Sequence, residues 1–201
     1  MKRITVMLSV LCLAFVSVSC ASSSGALKSS VKSGEGGIEG SWTWGIFTDA
    51  ANQGSSRITL LDDFDVIDGR PMTLRNISGE ITNKYEYGYA GWYAFPDDPT
   101  MEELKKAKSF SFKVLGDGQT YFVMVSTSDI TDACYHRVTF TTKKDEEMTV
   151  TVRMSSLQQP TDWGIRKRFN QENATQIQWQ TTNNGKPGTF KLRIWDLQLY
   201  K

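Results

Sequence analysis

Apolar and polar residues change places with a period of two through much of the chain. Residues 147–154 read EMTVTVRM, with Met148, Val150, Val152 and Met154 on one parity and Thr149, Thr151 and Arg153 on the other. Residues 109–115, SFSFKVL, repeat the pattern with Phe110, Phe112 and Val114. Successive side chains on a strand point to opposite faces, so such segments fit strands with one face covered. TYFVMVST (120–127) is apolar on both parities, as a central strand is, and YHRVTFTT (135–142), QIQWQT (176–181) and TFKLRIWDLQLY (189–200) add further strands. GDG at 116–118 reads as a hairpin turn. The one helical segment is DPTMEELKKAK (98–108), where Pro99 suits a first turn and Thr100 and Glu103 are spaced as a capping box. Short strands with turns about every ten residues predict an all-β chain, a β-sandwich of two antiparallel sheets with one short helix.

The first 40 residues lie outside this pattern. Lys2 and Arg3 precede an apolar stretch, residues 4–16, that is short for a bilayer span and ends in SVSC at 17–20. Small residues before a cysteine resemble a bacterial lipobox, in which the cysteine is acylated and becomes the N-terminus, although Ser17 stands where leucine is usual. The expected organisation is a lipoprotein-type signal peptide at 1–19, lipidation at Cys20, a flexible Ser/Gly-rich tether over 20–40 and a folded domain over 41–201. An ordinary secretory signal cleaved nearby is the alternative. Either places the protein outside the cytoplasm. The lipobox reading anchors it by acyl chains to the bacterial cell envelope, at the periplasm or the cell surface.

Cys12 and Cys20 fall in the leader, which leaves Cys134 without a disulfide partner, so packing must hold the core. Cys134 reads as a buried thiol. With 23 basic and 22 acidic residues the charge is nearly balanced, and no basic stripe offers itself to nucleic acid. The one basic cluster, IRKRF at 165–169, reads as a solvated loop. A single histidine, no Gly-x-Ser-x-Gly elbow, no phosphate loop and no zinc spacing argue against an enzyme.

The strand run KSFSFKVLGDGQTYFVMVSTSD, followed by YHRVTFTT, SSLQQPTDWG, IQWQT and LRIWDLQLY, resembles the galactose-binding-like jelly rolls. More narrowly, it resembles the group that joins family 11 carbohydrate-binding modules with the complex I intermediate-associated protein 30 family. FTDAANQGSS (47–56) is similar to that group's Asp…Gly-Gly-x-Ser segment, with Gln53 in place of one glycine. The resemblance spans about 41–201. It implies a jelly roll whose concave sheet binds a glycan, with Tyr135, His136 and Arg137 on a strand that faces the cleft. The group also holds an assembly factor, so a protein partner is the alternative. Related sugar modules often hold a structural Ca2+. No cofactor is required, but Asp49 and Asp196 are the ligands such a metal would use.

Sugar binding needs flat apolar faces for the C–H side of a pyranose and planar polar groups for its hydroxyls. KYEYGYAGWYAF (84–95) places Tyr85, Tyr87 and Tyr89 on one parity, opposite small apolar groups. Read as a strand, it forms a tyrosine ladder on an open face, either a sugar platform or a ladder that stiffens the sheet. Gln176, Gln178 and Gln180 form an amide ladder on the strand whose other face carries Ile177 and Trp179, read as core. Trp163 in TDWG either caps a ligand or packs across the sandwich, and packing is the favoured reading. Trp42, Trp44 and Trp195 stay open between the two roles.

Overall fold

The structure is a computed structural model that describes residues 36–182 and 185–201. The expected leader, the expected lipidation site Cys20 and most of the expected tether lie outside the described residues. The elements run β1 (Ile38–Glu39), β2 (Trp42–Thr48), β3 (Arg57–Ile67), β4 (Arg70–Ile81), β5 (Ala90–Pro96), α1 (Asp98–Leu104), β6 (Ser109–Leu115), β7 (Thr120–Thr127), β8 (His136–Thr141), β9 (Glu147–Arg153), β10 (Ala174–Thr181) and β11 (Gly188–Tyr200). They form the antiparallel sandwich expected from the alternation. One sheet runs β3-β4-β11-β6-β9, with β1 added on β11, and the other runs β2-β5-β10-β7-β8. The last two strands, β10 and β11, take the middle of the two sheets.

Between the sheets lies one continuous core, drawn from residues between Ile38 and Leu199. All described strands of the sandwich share this core, so residues 36–201 carry the packed core that a folding unit needs. An aromatic stack occupies its centre. The Trp179 ring lies parallel to Trp44 at 5.4 Å and to Trp92 at 6.2 Å, and Phe112 meets it edge-on at 5.4 Å. Trp179 and Trp92 are fully buried, as their parity with Ile177 and Ala94 requires. Trp44 thus belongs to the stack, and Trp195 is buried.

Two sequence expectations are corrected. The GDG turn does not close a hairpin, because β6 and β7 lie in different sheets. It is a corner of the sandwich pinned by Asp117. That carboxylate accepts the Tyr121 hydroxyl at 2.8 Å, the Gln119 N–H at 3.0 Å and the Lys191 N–H of β11 at 2.9 Å. The helix starts at Asp98 as expected but ends at Leu104, and its cap lies one residue before the segment: the Asp97 side chain accepts the Thr100 N–H at 3.0 Å, and no Thr100–Glu103 box forms. LDDFDVIDG (61–69), for which no element was expected, belongs to a long β3–β4 hairpin. Asp68 (φ 51°) and Gly69 (φ 75°) form its two-residue turn, and both have the positive φ that a type I′ turn demands.

That hairpin outruns its sheet. β11 accompanies β4 only as far as Arg75, so residues 63–74 form a two-stranded arm. On the outer edge of the arm the Phe64 N–H donates to Asp63 Oδ1 at 3.0 Å and the Val66 N–H to Asp65 Oδ1 at 2.8 Å. The aspartates thereby occupy backbone donors that an edge strand otherwise offers to a passing chain.

Candidate functional site

In the five-stranded sheet, register decides which side chains face away from the core. Trp92 pairs with Trp179, and Trp179 with Val123, all three on the core side. Their neighbours along each strand therefore face outward. One outward row joins Gly45, Tyr93, Gln178, Met124 and Arg137; the next joins Phe47, Gly91, Gln180, Phe122 and Thr139.

Glycines shape this face. A Cβ on Gly45 would lie 2.3 Å from the Tyr93 ring, and one on Gly91 would lie 2.2 Å from the Phe47 ring. The two rings thus lie down across opposite strands, Tyr93 over β2 and Phe47 over β5, each filling the notch left by a missing side chain. Successive rows are about 6.6 Å apart along a strand. The result is a flat apolar floor rather than a wall of upright side chains.

Polar groups border the floor. Gln178 donates to Ser126 Oγ at 2.6 Å, which fixes its amide, and Gln176 and Gln180 flank it half-buried. Arg137 stacks its guanidinium 3.9 Å from the centre of the Phe122 ring. Among the described residues no hydrogen bond or ion pair to a side chain engages that guanidinium. Burial lowers its pKa from the usual arginine value, partly offset by Asp162. A held, half-buried cation with unspent donors beside flat rings is suited to a neutral, hydroxyl-rich ligand.

The structure separates the expected site residues. Arg137, Gln178 and Gln180 share the face. Tyr85, Tyr87 and Tyr89 do not form a strand ladder: they lie in the segment between β4 and β5, and β5 begins only at Ala90. The one glycine of this stretch, Gly88, sits tightly against the Thr82 carbonyl, and the aromatic rings of the stretch cluster instead of alternating. Tyr85 meets Tyr87 at 5.9 Å and Tyr89 at 6.4 Å, both edge-on, and Tyr89 leans on Phe47 at 6.2 Å. The phenol that does lie on the sheet is Tyr93, four residues beyond the expected ladder and on the same parity.

His136 also departs from expectation. It pairs with Val125, so it faces the core side, where it is buried against Phe169 at 5.1 Å. Burial lowers its pKa. Tyr135 precedes β8, and burial, reinforced by Asp132, raises its pKa. Trp163 does not pack across the sandwich; it is 40% exposed in the loop after β9, and its carbonyl accepts the Cys134 thiol at 3.3 Å. That loop joins the rim of the face through the paired backbones of Gln158 and Arg137. Burial raises the Cys134 pKa and keeps the thiol protonated.

Of the two expected metal ligands, Asp49 presents no open carboxylate. Asp49 is wholly buried and accepts the Ser56 N–H at 3.0 Å, the Ser56 hydroxyl at 2.6 Å and the Tyr89 N–H at 3.3 Å. Asp196, at φ 54° in the irregular stretch of β11, accepts the Gln198 amide at 2.9 Å. Among the described residues no group of three His, Cys, Asp or Glu side chains converges to hold a metal ion. Gln53, at the position of the replaced glycine, adopts φ 61°, the left-handed backbone that glycine favours.

Residues 37–194 match the family described as complex I intermediate-associated protein 30. No curated protein matches the sequence. Among solved structures, the fold is similar to a family 11 carbohydrate-binding module from Clostridium thermocellum in complex with a β-1,3-1,4-mixed-linked tetrasaccharide. That match has a TM-score of 0.56 and 16% identity over 81% of this chain and 91% of that one. The family 11 module of the cellulosomal cellulase Lic26A-Cel5E of Clostridium thermocellum matches with a TM-score of 0.54 and 16% identity, over 83% of this chain and 90% of that one.

Proposed function

Because the chain belongs to the complex I intermediate-associated protein 30 family, on a fold it shares with family 11 carbohydrate-binding modules, we propose that it binds a glycan chain without cleaving it, on the outer face of the five-stranded sheet. The observation that carries this reading is the Arg137 guanidinium over Phe122 beside the flattened rings of Tyr93 and Phe47. The rings cover pyranose C–H faces, and Arg137 with the glutamine amides bonds hydroxyls. Strand positions on this face carry no carboxylate, whereas glycoside hydrolysis uses two. The site is an open face, which suits an internal stretch of polysaccharide.

Isothermal titration against a panel of soluble polysaccharides tests the proposal. Tyr93→Ala and Arg137→Ala are each expected to weaken binding by roughly 1–2 kcal/mol with the fold retained. Tyr87→Ala, off the sheet face, should leave affinity unchanged. Equal affinity in all three variants would remove this face from the site. The family description supports a second reading, a protein partner on the same sandwich. Failure of every glycan to bind, with capture of a partner that Tyr93→Ala abolishes, would favour it.

The same proposal places the domain outside the cytoplasm, tethered by an acylated Cys20. Expressed in a bacterium with radiolabelled palmitate, the chain should take up label and partition into detergent. Undiminished labelling of Cys20→Ala would show that Cys20 is not the anchor.

A further inference from the structure

Among the described residues, apart from Ile46 and Phe95, every strongly exposed large apolar side chain lies in one of two segments. The first is the β3–β4 arm and its base, with Leu61 62% exposed, Phe64 76% and Val66 67%. The second is the loop after β9, with Trp163 40% exposed and Ile165 63%. The segments carry opposite charge. Residues 61–69 hold Asp62, Asp63, Asp65 and Asp68 and no base, while Arg166, Lys167 and Arg168 follow Ile165 with no acid among them. Among the described residues none of those three cations forms an ion pair.

The two patches occupy opposite edges of the sandwich. At the arm's base, Arg75 lies 5.1 Å from the ring of Trp44, a β2 residue, and the loop joins β8 where Gln158 pairs with Arg137. β2 and β8 are the two outer strands of the five-stranded sheet. The patches therefore cannot meet within one molecule. Strand addition at the arm's edge is opposed as well, since Asp63 and Asp65 occupy the Phe64 and Val66 amides. What remains is a side-chain surface: a shallow groove of about 340 Å³ lined by Phe64, Asp65, Val66, Pro71, Met72 and Thr73.

We propose that the acidic, apolar arm of one copy docks on the basic, apolar loop of a second copy. Ile165 would enter the Phe64–Val66 groove, while Arg166 and Arg168 meet Asp65 and Asp68. Asp62 pairs with Arg75 at 3.2 Å and Asp63 with Arg193 at 3.7 Å, while Asp65 and Asp68 form no ion pair among the described residues and disfavour an anionic lipid surface as the occupant. Since different patches meet, the contact is head-to-tail and propagates unless the rotation closes a ring. It is small and charge-dependent, so it strengthens as salt falls or as chains are concentrated on a surface.

Sedimentation velocity of residues 36–201, carried to about 1 mM to reach weak contacts, tests this. Wild type should show an average mass that rises with concentration past the dimer at low salt and falls back in high salt. The arm variant Phe64→Ser/Val66→Ser and the loop variant Arg166→Glu/Arg168→Glu should each be monomeric. Both alter exposed residues, and circular dichroism should match wild type. Mixed in equal amounts, the two variants should form a dimer and stop there, because each keeps one intact half. A wild-type chain that stays monomeric overturns the proposal. So does association lost in only one variant, or a mixture that stays monomeric. If the monomeric wild type instead sediments with phosphatidylcholine vesicles and Phe64→Ser abolishes this, the arm is a lipid contact and the proposal also falls.

Discussion

Asp49→Ala is expected to destabilise the domain by about 3–5 kcal/mol, because it strands buried donors that the carboxylate alone satisfies. The Ser56 N–H, the Ser56 hydroxyl and the Tyr89 N–H all point at this wholly buried side chain. The Ser56 hydroxyl in turn accepts the Thr82 N–H at 3.1 Å, so the effect reaches the end of β4. A domain of this size loses roughly 2–4 °C of melting temperature per kcal/mol, which sets the drop at about 10–15 °C. Gly54→Ala should act on the same knot by sterics, since a Cβ there would sit 2.1 Å from the Asp49 carboxyl carbon. The pair should be far from additive, as changes to one network are. A shift under about 3 °C for Asp49→Ala would mean that water replaces the carboxylate, and the knot would lose its structural role.

Trp179→Ala should cost a comparable amount, about 3–5 kcal/mol, through a different mechanism. Its ring stacks parallel to both Trp44 and Trp92 and is met edge-on by Phe112. Removing it opens a cavity in the middle of both sheets, and strands fixed by long hydrogen-bonded ladders cannot collapse into it. Trp163→Ala, at an exposed loop tryptophan, serves as the contrast and should move stability by less than about 1 kcal/mol. Guanidinium unfolding of the two variants reads the difference directly. Equal midpoints would show that the stack contributes no more than a surface ring.

Residues with a single dominant physical demand were legible in the sequence. Phe110, Phe112, Val150 and Val152 alternate with polar neighbours, and their strands lie where that alternation places them. Trp179 was assigned to the core by its parity with Ile177, and the stack bears this out. Parity also set Gln178 and Gln180 on one face of their strand, and the resemblance supplied Arg137, but parity misplaced the tyrosines. In residues 84–95 the alternation of Tyr85, Tyr87 and Tyr89 is real, yet the segment before Ala90 is packed into bends where a period of two has no meaning. Only Tyr93 kept the pattern, and its role depends on Gly45, a residue on another strand nearly fifty positions earlier. The fold-back at Asp68-Gly69 was present in the sequence as a turn dipeptide, set among closely spaced aspartates. His136 was misassigned because adjacent strand residues face opposite ways, and the resemblance named the triplet without saying which member turned inward.

The placement of β10 and β11 bears on how the chain comes to be folded at all. Both central positions are filled by the final strands, so β5 and β7 have no common neighbour, nor do β4 and β6, until residues 174–200 are available. A chain emerging from the ribosome N-terminus first therefore cannot complete either sheet before residues 174–200 are made. Until then only pairs such as β3–β4 and β6–β9 can form, and both layers close late through contacts distant in sequence, a slow topology. That dependence leaves each sheet in two halves until its central strand is in place. It also makes loss of a few C-terminal residues more damaging than loss of the same number from an outer strand.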